Sequence, residues 1–270
     1  MVVQKTSQSV EAVLASPSYG IVYRLKAAVF KLVPQLEAIY LWNKYSRNAW
    51  VRAKAKTIAP GSHVLDIGAG SCPYRQYFAH CQYETHDFGK LEDHQLTGRR
   101  GYGEIGIISD VTSIPAPTGS FDVVLCTEVI EHVPEPILAV REMARLLRPG
   151  GRVLLTAPLR SALHQMPYHY YAGYTPSWYE RFLSEAGFTD IQIECVCGLL
   201  AAHAEEGLYV SIYLSPFSSL PIWQKAVLFP IWLLTLPWLA IACPLACSLL
   251  DRLEIGQEFT VGYRVEATKI

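Results

Sequence analysis

The stretch SHVLDIGAGS carries the residue types best suited to holding a ligand. Its apolar run ends in Asp66 and Ile67 and passes directly into Gly68, Ala69 and Gly70, which predicts a short strand followed by a tight turn. Because glycine has no Cβ, the backbone of such a turn can approach a bound nucleoside closely. We therefore expect Asp66, Gly68, Ala69 and Gly70 to bind a cofactor.

Polar residues also end the next three predicted strands. Asp87 follows the strand-1 aspartate by about twenty residues, the separation at which a carboxylate accepts the hydroxyls of a bound ribose. Asp110 and Val111 end the third strand, where a carboxylate can accept a hydrogen bond from an adenine amino group. Thr127 and Glu128 end the fourth strand beside the same cleft. All five are further candidates for cofactor binding.

The elements that must position these residues alternate along the chain. The predicted strands are SHVLDI, QYETHDF, EIGIIS, FDVVLC, RVLLTA, TDIQIECVC and QEFTVGYRVEATK. Helices are predicted at residues 20–58, divided near Pro34, and from CPYRQYFAH, PEPILAVREMARLLRPGG and TPSWYERFLSEAGF. The last of these begins with Thr175 as its cap and Pro176 at its first position. This alternation predicts an α/β fold with a doubly wound, mostly parallel sheet.

Six blocks together resemble a known family. VLDIGAG, the acid at Asp87, SDVTSIP, SFDVVLCTEVIEHV, LLRPGGRVLLTAP and SEAGF resemble, in this order and spacing, the class I S-adenosylmethionine-dependent methyltransferases. The likeness is greatest to the group that includes quinone-biosynthesis and bacterial small-molecule methyltransferases. It covers roughly residues 60–197 and a closing strand near 257–267. The resemblance implies a Rossmann-like seven-stranded sheet with an antiparallel last strand, S-adenosyl-L-methionine as cofactor, and methyl transfer as the reaction.

The glycine turn departs from the family pattern in one respect. The run GAGSCP lacks the third glycine that is common in the family's first motif. A dinucleotide would need that glycine for close helix packing and a free helix N-terminus for its pyrophosphate. Pro73 has no N–H to donate, whereas a sulfonium ligand carries no phosphate that would need one. The departure therefore favours the methyl donor over a nicotinamide dinucleotide.

Residues for the acceptor side are expected after strands 4 and 5. Methyl transfer from a sulfonium needs alignment and, where the acceptor keeps its proton, a base. His169 is the first candidate base, followed by His132 and His164. The loop APLRSALHQMPYHYYAGYT also predicts substrate-binding tyrosines: Tyr168, Tyr170, Tyr171 and Tyr174. The alternatives are a structural His132 and a tyrosine-rich loop that only packs over the next helix.

Charge is distributed unevenly along the 270 residues. The formal net charge is −1, yet residues 20–58 contain eight basic residues and only Glu37 as an acid. This segment therefore faces either an anionic membrane surface or the acidic remainder of the protein. Seven scattered cysteines without metal-ligand spacing favour reduced thiols in a cytosolic compartment. We expect no metal site and no nucleic-acid partner.

A long apolar insertion separates the sixth and seventh strands. Residues 226–250 carry no charge and are long enough to span a bilayer, and a second apolar run covers 207–223. A single crossing would leave the seventh strand on the far side of the membrane, away from its sheet. Both ends of the insertion must therefore lie on one side of the membrane. A re-entrant hairpin, an interfacial helix pair and a buried arm at a dimer contact remain open. Pro230, Pro237 and Pro244 predict breaks or kinks.

These observations predict four segments and one leading function. The segments are a basic, aromatic-rich helical region at 1–58, a methyltransferase core at 59–197, a hydrophobic helical insertion at 198–256 and a closing strand at 257–270. The leading function is methylation of a lipid, quinone or lipid-linked acceptor by an enzyme peripheral or monotopic at the inner face of a membrane. The alternatives are a soluble acceptor with the insertion as homodimer interface, and a non-catalytic, membrane-anchored donor-binding scaffold.

Overall fold

A computed structural model describes residues 39–93, 95–96, 101–216, 220–253 and 255–270 of the chain. The described residues form two compact units. One contains the residues up to Ser46 together with Cys197–Thr260, and the other contains Arg47–Val196 together with Val261–Ile270. Most of the basic segment predicted at the N-terminus, including its division near Pro34, lies outside the described residues.

The second unit is built on a seven-stranded sheet. Its strands are β1 (His63–Ile67), β2 (Gln82–Asp87), β3 (Ile107–Ile108), β4 (Phe121–Thr127), β5 (Leu147–Pro158), β6 (Phe188–Cys195) and β7 (Gly262–Lys269). They lie in the order β3-β2-β1-β4-β5-β7-β6. The first five strands pair in parallel, and β7 pairs antiparallel with both β5 and β6. The predicted Rossmann-like, mostly parallel fold with an antiparallel last strand is confirmed.

Two predicted elements are shorter than the sequence pattern indicates. The third strand consists of Ile107–Ile108 alone, at the edge of the sheet. The helix predicted after β1 is a single 3-10 turn, Arg75–Phe78. It follows Cys72, which has a positive φ of 54°, and Pro73, which has no N–H for a helical hydrogen bond. These residues leave room for only one turn before β2 begins.

Helices cover both faces of the sheet. Helix α1 (Trp42–Ala55) packs through Trp50 and Val51 against the face that carries Val64. Helices α2 (Pro136–Leu146) and α3 (Pro176–Glu185) belong to the larger core on the face that carries Leu65. Successive strand residues point to opposite faces, which explains how one short strand serves both cores. The predicted cap of α3 is confirmed, since the Thr175 side chain accepts a hydrogen bond from Trp178 N.

The first unit is helical. It contains α4 (Leu199–Leu214), α5 (Ile222–Pro237), a π-helical segment (Trp238–Ala242) and α6 (Cys243–Leu250). The predicted breaks at the three prolines are wrong: Ile222–Leu250 is continuous as a helix of 29 residues, apolar and long enough to cross a membrane. Pro244 still leaves the carbonyl of Ala240 without its usual donor four residues on, and Tyr40 Oη donates to that oxygen over 2.8 Å.

Two buried tyrosines allow a matched test of the core. Tyr174 Oη donates to the Ile130 carbonyl oxygen over 2.7 Å, whereas the buried Tyr179 hydroxyl has no hydrogen-bond partner among the described residues. Tyr174→Phe should lower the free energy of unfolding by about 1 kcal/mol, because it removes a buried hydrogen bond and leaves the Ile130 carbonyl with only the Val133 amide, 3.2 Å away. Tyr179→Phe should leave that free energy unchanged or raise it. Urea unfolding of the two variants checks this, and equal destabilisation would contradict the assigned hydrogen bond.

Candidate active site

The glycine turn lies directly after β1, at the carboxyl edge of the sheet. Gly68 and Gly70 have φ values of +70° and +50°, which side chains other than glycine rarely adopt. The Gly68 and Ala69 amides donate to the His86 carbonyl oxygen over 2.8 and 3.0 Å, which fixes the turn against β2. A Cβ added at Gly68 would lie 2.3 Å from Cγ2 of Val129. The turn therefore requires glycine for both its backbone conformation and its packing.

Asp87 orients this turn from the end of β2. Its Oδ2 accepts a hydrogen bond from Gly70 N over 3.0 Å, and its Oδ1 accepts one from Gly89 N over 2.9 Å. The residue is 3% exposed, so its carboxylate is held in one orientation by backbone groups. Each carboxylate oxygen retains a further lone pair that can accept a hydroxyl, as ribose binding requires. The geometry fits the role expected for Asp87.

Asp66 lies deeper than the turn that it precedes. It is 1% exposed and accepts a hydrogen bond from the hydroxyl of Tyr83. Burial raises the pKa of Asp66 to about 7, with Asp87 adding to the rise and Tyr83 opposing it. Asp66 supports the turn from below in the described structure.

The remaining cofactor candidates lie at the ends of β3 and β4. Asp110 is exposed and accepts hydrogen bonds from the amide and hydroxyl of Thr112 over 2.9 and 2.7 Å, which lower its pKa. Val111 is buried in the larger core. Thr127 is the last residue of β4, and Glu128 follows it with a positive φ of 54°.

Arg47 joins this group although the sequence pattern assigned it only to a basic segment. Its Nη1 lies 3.3 Å from Oε2 of Glu128, and its Nε donates to the Tyr74 hydroxyl over 3.2 Å. Oε1 of Glu128 also accepts a hydrogen bond from Thr156 Oγ1 over 2.8 Å. Arg47 lies 16 positions before β1 begins, and no local signal in the sequence marks it as part of a site. A cation and an anion are thus placed together beside the glycine turn.

Three histidines from two loops form one cluster. The ring centroids of His132 and His164 are 4.7 Å apart, those of His164 and His169 are 4.5 Å apart, and those of His132 and His169 are 5.6 Å apart. Burial lowers the pKa of His132 to about 4, with His164 contributing, and burial also lowers the pKa of His169. Both imidazoles are therefore neutral near pH 7. The three candidate bases predicted from sequence are brought together.

Hydrogen bonds orient the three rings. His132 Nδ1 lies 2.9 Å from the Tyr168 carbonyl oxygen, and His164 Nδ1 lies 2.9 Å from the Ala162 carbonyl oxygen. A carbonyl only accepts, so Nδ1 carries a proton in both rings, and in the neutral ring of His132 Nε2 keeps its lone pair. His169 Nε2 lies 3.0 Å from Ser161 Oγ.

Glu131 is a buried carboxyl beside the histidine cluster. It is 1% exposed, its Oε1 lies 3.8 Å from Nε2 of His132, and its Oε2 has no hydrogen-bond partner among the described residues. Burial raises the pKa of this carboxyl, as does the neighbouring Glu128. The ligand atoms of Glu131, His132 and His164 all lie within 4.8 Å of one another, so these residues could hold a metal ion. No spacing in the sequence marks this set, because Glu131 and His132 follow β4 whereas His164 follows β5.

The four tyrosines predicted to bind substrate occupy different environments. Tyr168 packs edge-on against Phe88, beside Asp87, with ring centroids 5.1 Å apart. Tyr170 is half exposed. Tyr171 Oη donates to the Pro134 carbonyl oxygen over 2.9 Å, and Tyr174 is buried with its hydroxyl on Ile130. Tyr171 and Tyr174 therefore anchor the loop through their hydroxyls.

Comparison with known proteins identifies relatives of this sheet-based unit. The family described as "Methyltransferase domain" matches residues 65–155. A ubiquinone biosynthesis O-methyltransferase from Burkholderia pseudomallei is 30% identical over 171 residues, which are 55% of this chain and 72% of that protein. The enzyme of the same name from Xanthomonas oryzae is 38% identical, over 52% of this chain and 66% of the relative.

A sarcosine/dimethylglycine N-methyltransferase from Halorhodospira halochloris is 27% identical, over 52% of this chain and 56% of that protein. The chain thus spans between about half and two thirds of the length of the first curated relatives. Among solved structures, a phosphoethanolamine N-methyltransferase 2 from Haemonchus contortus gives a TM-score of 0.47 at 16% identity, over 83% of this chain and 52% of that one. A methyltransferase structure from Bacillus halodurans gives 0.45 at 17% identity, over 81% and 98%.

Two glycines with positive φ permit a controlled test of the turn. Gly68→Ala should weaken binding of S-adenosylmethionine by about tenfold or more, because the new methyl group displaces Val129 and distorts the turn. Gly61→Ala imposes a similar backbone strain at φ +81°, but nothing lies within 4 Å of its Cβ, so binding should change less than about twofold. Isothermal titration calorimetry of both variants measures the difference. Equal affinities would show that the turn does not contact the donor.

Proposed function

The chain belongs to the class I S-adenosylmethionine-dependent methyltransferases, and from that membership we propose that it methylates a lipid, quinone or lipid-linked acceptor at a membrane surface. One observation supports the proposal above the others: a glycine turn with a backbone-held carboxylate adjoins a cluster of three histidines at one edge of the sheet. The four-segment division predicted from the sequence, with the insertion as a segment of its own, is part of the proposal.

The residues at the glycine turn fit the methyl donor. Asp87 would accept the ribose hydroxyls, and the turn would admit the nucleoside at Gly70, which presents no side chain. Arg47 and Glu128 offer a cation and an anion for the donor's carboxylate and ammonium groups. Asp110 would meet the adenine amino group. When bound, S-adenosylmethionine supplies a methyl group that its sulfonium has already activated.

The histidine cluster would take the proton that the acceptor loses. A neutral imidazole nitrogen can take the proton of a hydroxyl or ammonium group as its oxygen or nitrogen attacks the methyl carbon. We assign this role to His169, with His132 and His164 beside it to align the acceptor or take over the proton. Tyr168 and Tyr170 would line the acceptor's entry. A metal held by Glu131, His132 and His164 would instead polarise an acceptor oxygen directly.

The apolar helical unit supports a lipid-like acceptor. The large exposed side chains of its helix Ile222–Leu250 are apolar, and an acceptor with a hydrocarbon chain would be concentrated where such a helix meets a membrane. Relatives of the chain are named ubiquinone biosynthesis O-methyltransferases, and these names state O-methylation in the biosynthesis of a quinone. We place the enzyme at the cytoplasmic face of a membrane, and all seven cysteines are free thiols in the described structure.

A transfer assay with methyl-labelled S-adenosylmethionine tests the proposal. Purified protein is incubated separately with the lipid extract and the aqueous extract of its source cells, and label is counted in each phase. Label in the organic phase is expected. Label confined to the aqueous phase would favour a soluble acceptor, and donor binding without transfer to either extract would favour the scaffold alternative.

The histidine assignment predicts a particular pH dependence of kcat. A base must be unprotonated, and the pKa values of His132 and His169 lie below the usual 6.5, so the neutral forms persist as pH falls. We expect the acid limb of the kcat profile to be centred below pH 6.5. An acid limb centred at or above pH 6.5 would contradict the burial of these rings.

A substitution isolates His169 within the cluster. His169→Gln should lower kcat at pH 7 by about 10²-fold or more, because general-base catalysis contributes a factor of that order. His203→Gln, which alters an exposed histidine on α4, should leave kcat within about twofold. Donor affinity measured on both variants separates loss of the base from loss of the fold. Unchanged kcat in His169→Gln would remove this residue from the mechanism.

A further inference from the structure

The helix Ile222–Leu250 exposes apolar side chains along most of its length. No charged residue occurs between Lys225 and Asp251. Only 6% of its most apolar 18-residue window is buried. The large exposed side chains are Ile222, Trp223, Val227, Phe229, Ile231, Leu233, Leu234, Trp238, Ile241, Leu245, Leu249 and Leu250. A helix that is apolar on all sides belongs inside a protein core or inside a membrane, and the low burial excludes the first.

Helix α4 pairs with this helix in an antiparallel hairpin. At one end, Asp251 Oδ1 accepts hydrogen bonds from Gly198 N and Ala201 N, each over 3.2 Å. At the other, Trp232 Nε1 donates to the carbonyl oxygen of Ser211 over 3.0 Å. The start of α4 thus lies beside the end of α6, which defines a base for the hairpin at Asp251.

Backbone groups in the distal part of the hairpin are bonded within the hairpin unit itself. Ala240 O, which Pro244 leaves without a helical donor, accepts from the Tyr40 hydroxyl. Ser211 O, in the last turn of α4, accepts from Trp232. Inside hydrocarbon no water can satisfy such carbonyls, so each needs a donor from the protein. At a water-exposed surface neither donor would be required.

The charged residues of the hairpin lie in the first half of α4, as far as Glu206 at its midpoint, and in the first turn of α5. His203, Glu205 and Glu206 lie in the first half of α4, toward the base, and Gly207–Leu214 carries no charge. Lys225 lies in the first turn of α5. The helix from Lys225 to Asp251 is roughly 39 Å long at 1.5 Å per residue, against a hydrocarbon thickness of roughly 30 Å, so both charged ends can reach headgroups.

We propose that the hairpin formed by α4, α5 and α6 inserts into the hydrocarbon of a lipid bilayer, with its Asp251 base at the aqueous surface. The chain leaves the sheet after β6 and returns at β7, and these strands are neighbours, so both ends of the hairpin stay on one side of the bilayer. The inference deepens the membrane part of the proposed function and rests on it for its biological meaning, but lipid insertion needs neither donor nor acceptor.

Two exposed leucines test the insertion. Leu234 is 81% exposed midway along the hairpin, and Leu249 is 67% exposed beside the base. Leu234→Glu should reduce co-flotation of the full chain with phosphatidylcholine/phosphatidylglycerol vesicles by about tenfold or more, since a charge in hydrocarbon is costly. Leu249→Glu should reduce it by less than about threefold. Both sites are exposed, so neither variant removes a core contact, and donor binding confirms that the sheet unit is folded.

The other outcomes overturn the insertion. Wild-type protein that fails to float with vesicles, or equal flotation of both variants, would exclude the hairpin as a membrane element. Wild-type dimers in lipid-free solution that Leu234→Glu converts to monomers, without vesicle binding, would assign the same surface to a second copy of the chain. Because flotation is measured without methyl transfer, an inactive enzyme that floats would count against the proposed reaction alone.

Discussion

The pairing of β7 between β5 and β6 is the constraint on which the rest of the structure depends. β7 runs antiparallel to both neighbours, and its Val265 and Ala267 are fully buried in the larger core. It holds β5 in register as far as Pro158 opposite Gly262, and Leu159 N donates to the Val261 carbonyl oxygen just beyond. The loop that carries His164 and His169 therefore starts from a strand end that is fixed on both sides. The same pairing obliges the apolar insertion to leave and return at one edge.

Burial has opposite consequences at the two halves of the candidate active site. At the glycine turn it acts on carboxylates: Asp87 stays fixed by two backbone amides, while the deeper Asp66 has its pKa raised to about 7. At the histidine cluster it acts on imidazoles and lowers their pKa, which keeps them neutral. Burial thus raises the pKa of a carboxyl on one side and keeps imidazoles neutral on the other.

In the helical unit, side chains donate hydrogen bonds to backbone carbonyls that lack a helical donor. Prolines inside a helix remove donors, and an apolar surface denies water as a replacement. Tyr40 and Trp232 provide side-chain donors to carbonyls within the unit, and a π-helical segment, Trp238–Ala242, lies between α5 and α6. The helix can therefore remain continuous over 29 residues.

The sequence by itself determined the features that depend on local periodicity and turn chemistry. The order of seven strands, the glycine turn after β1, the Thr175 cap and the family assignment all follow from short motifs, because each motif restricts its own backbone. Two elements were overestimated, β3 and the turn Arg75–Phe78, where Pro73 and a short connection limit what the pattern suggests.

Only the tertiary structure decided which distant side chains share a site. Glu131 and His132 follow β4, whereas His164 and His169 follow β5, and no spacing in the sequence encodes the distances among them. Arg47 joins Glu128 because α1 packs on the sheet, and Tyr40 joins Ala240 across most of the chain length. Such contacts arise from the packing of whole elements, which fixes positions that local propensity leaves undetermined.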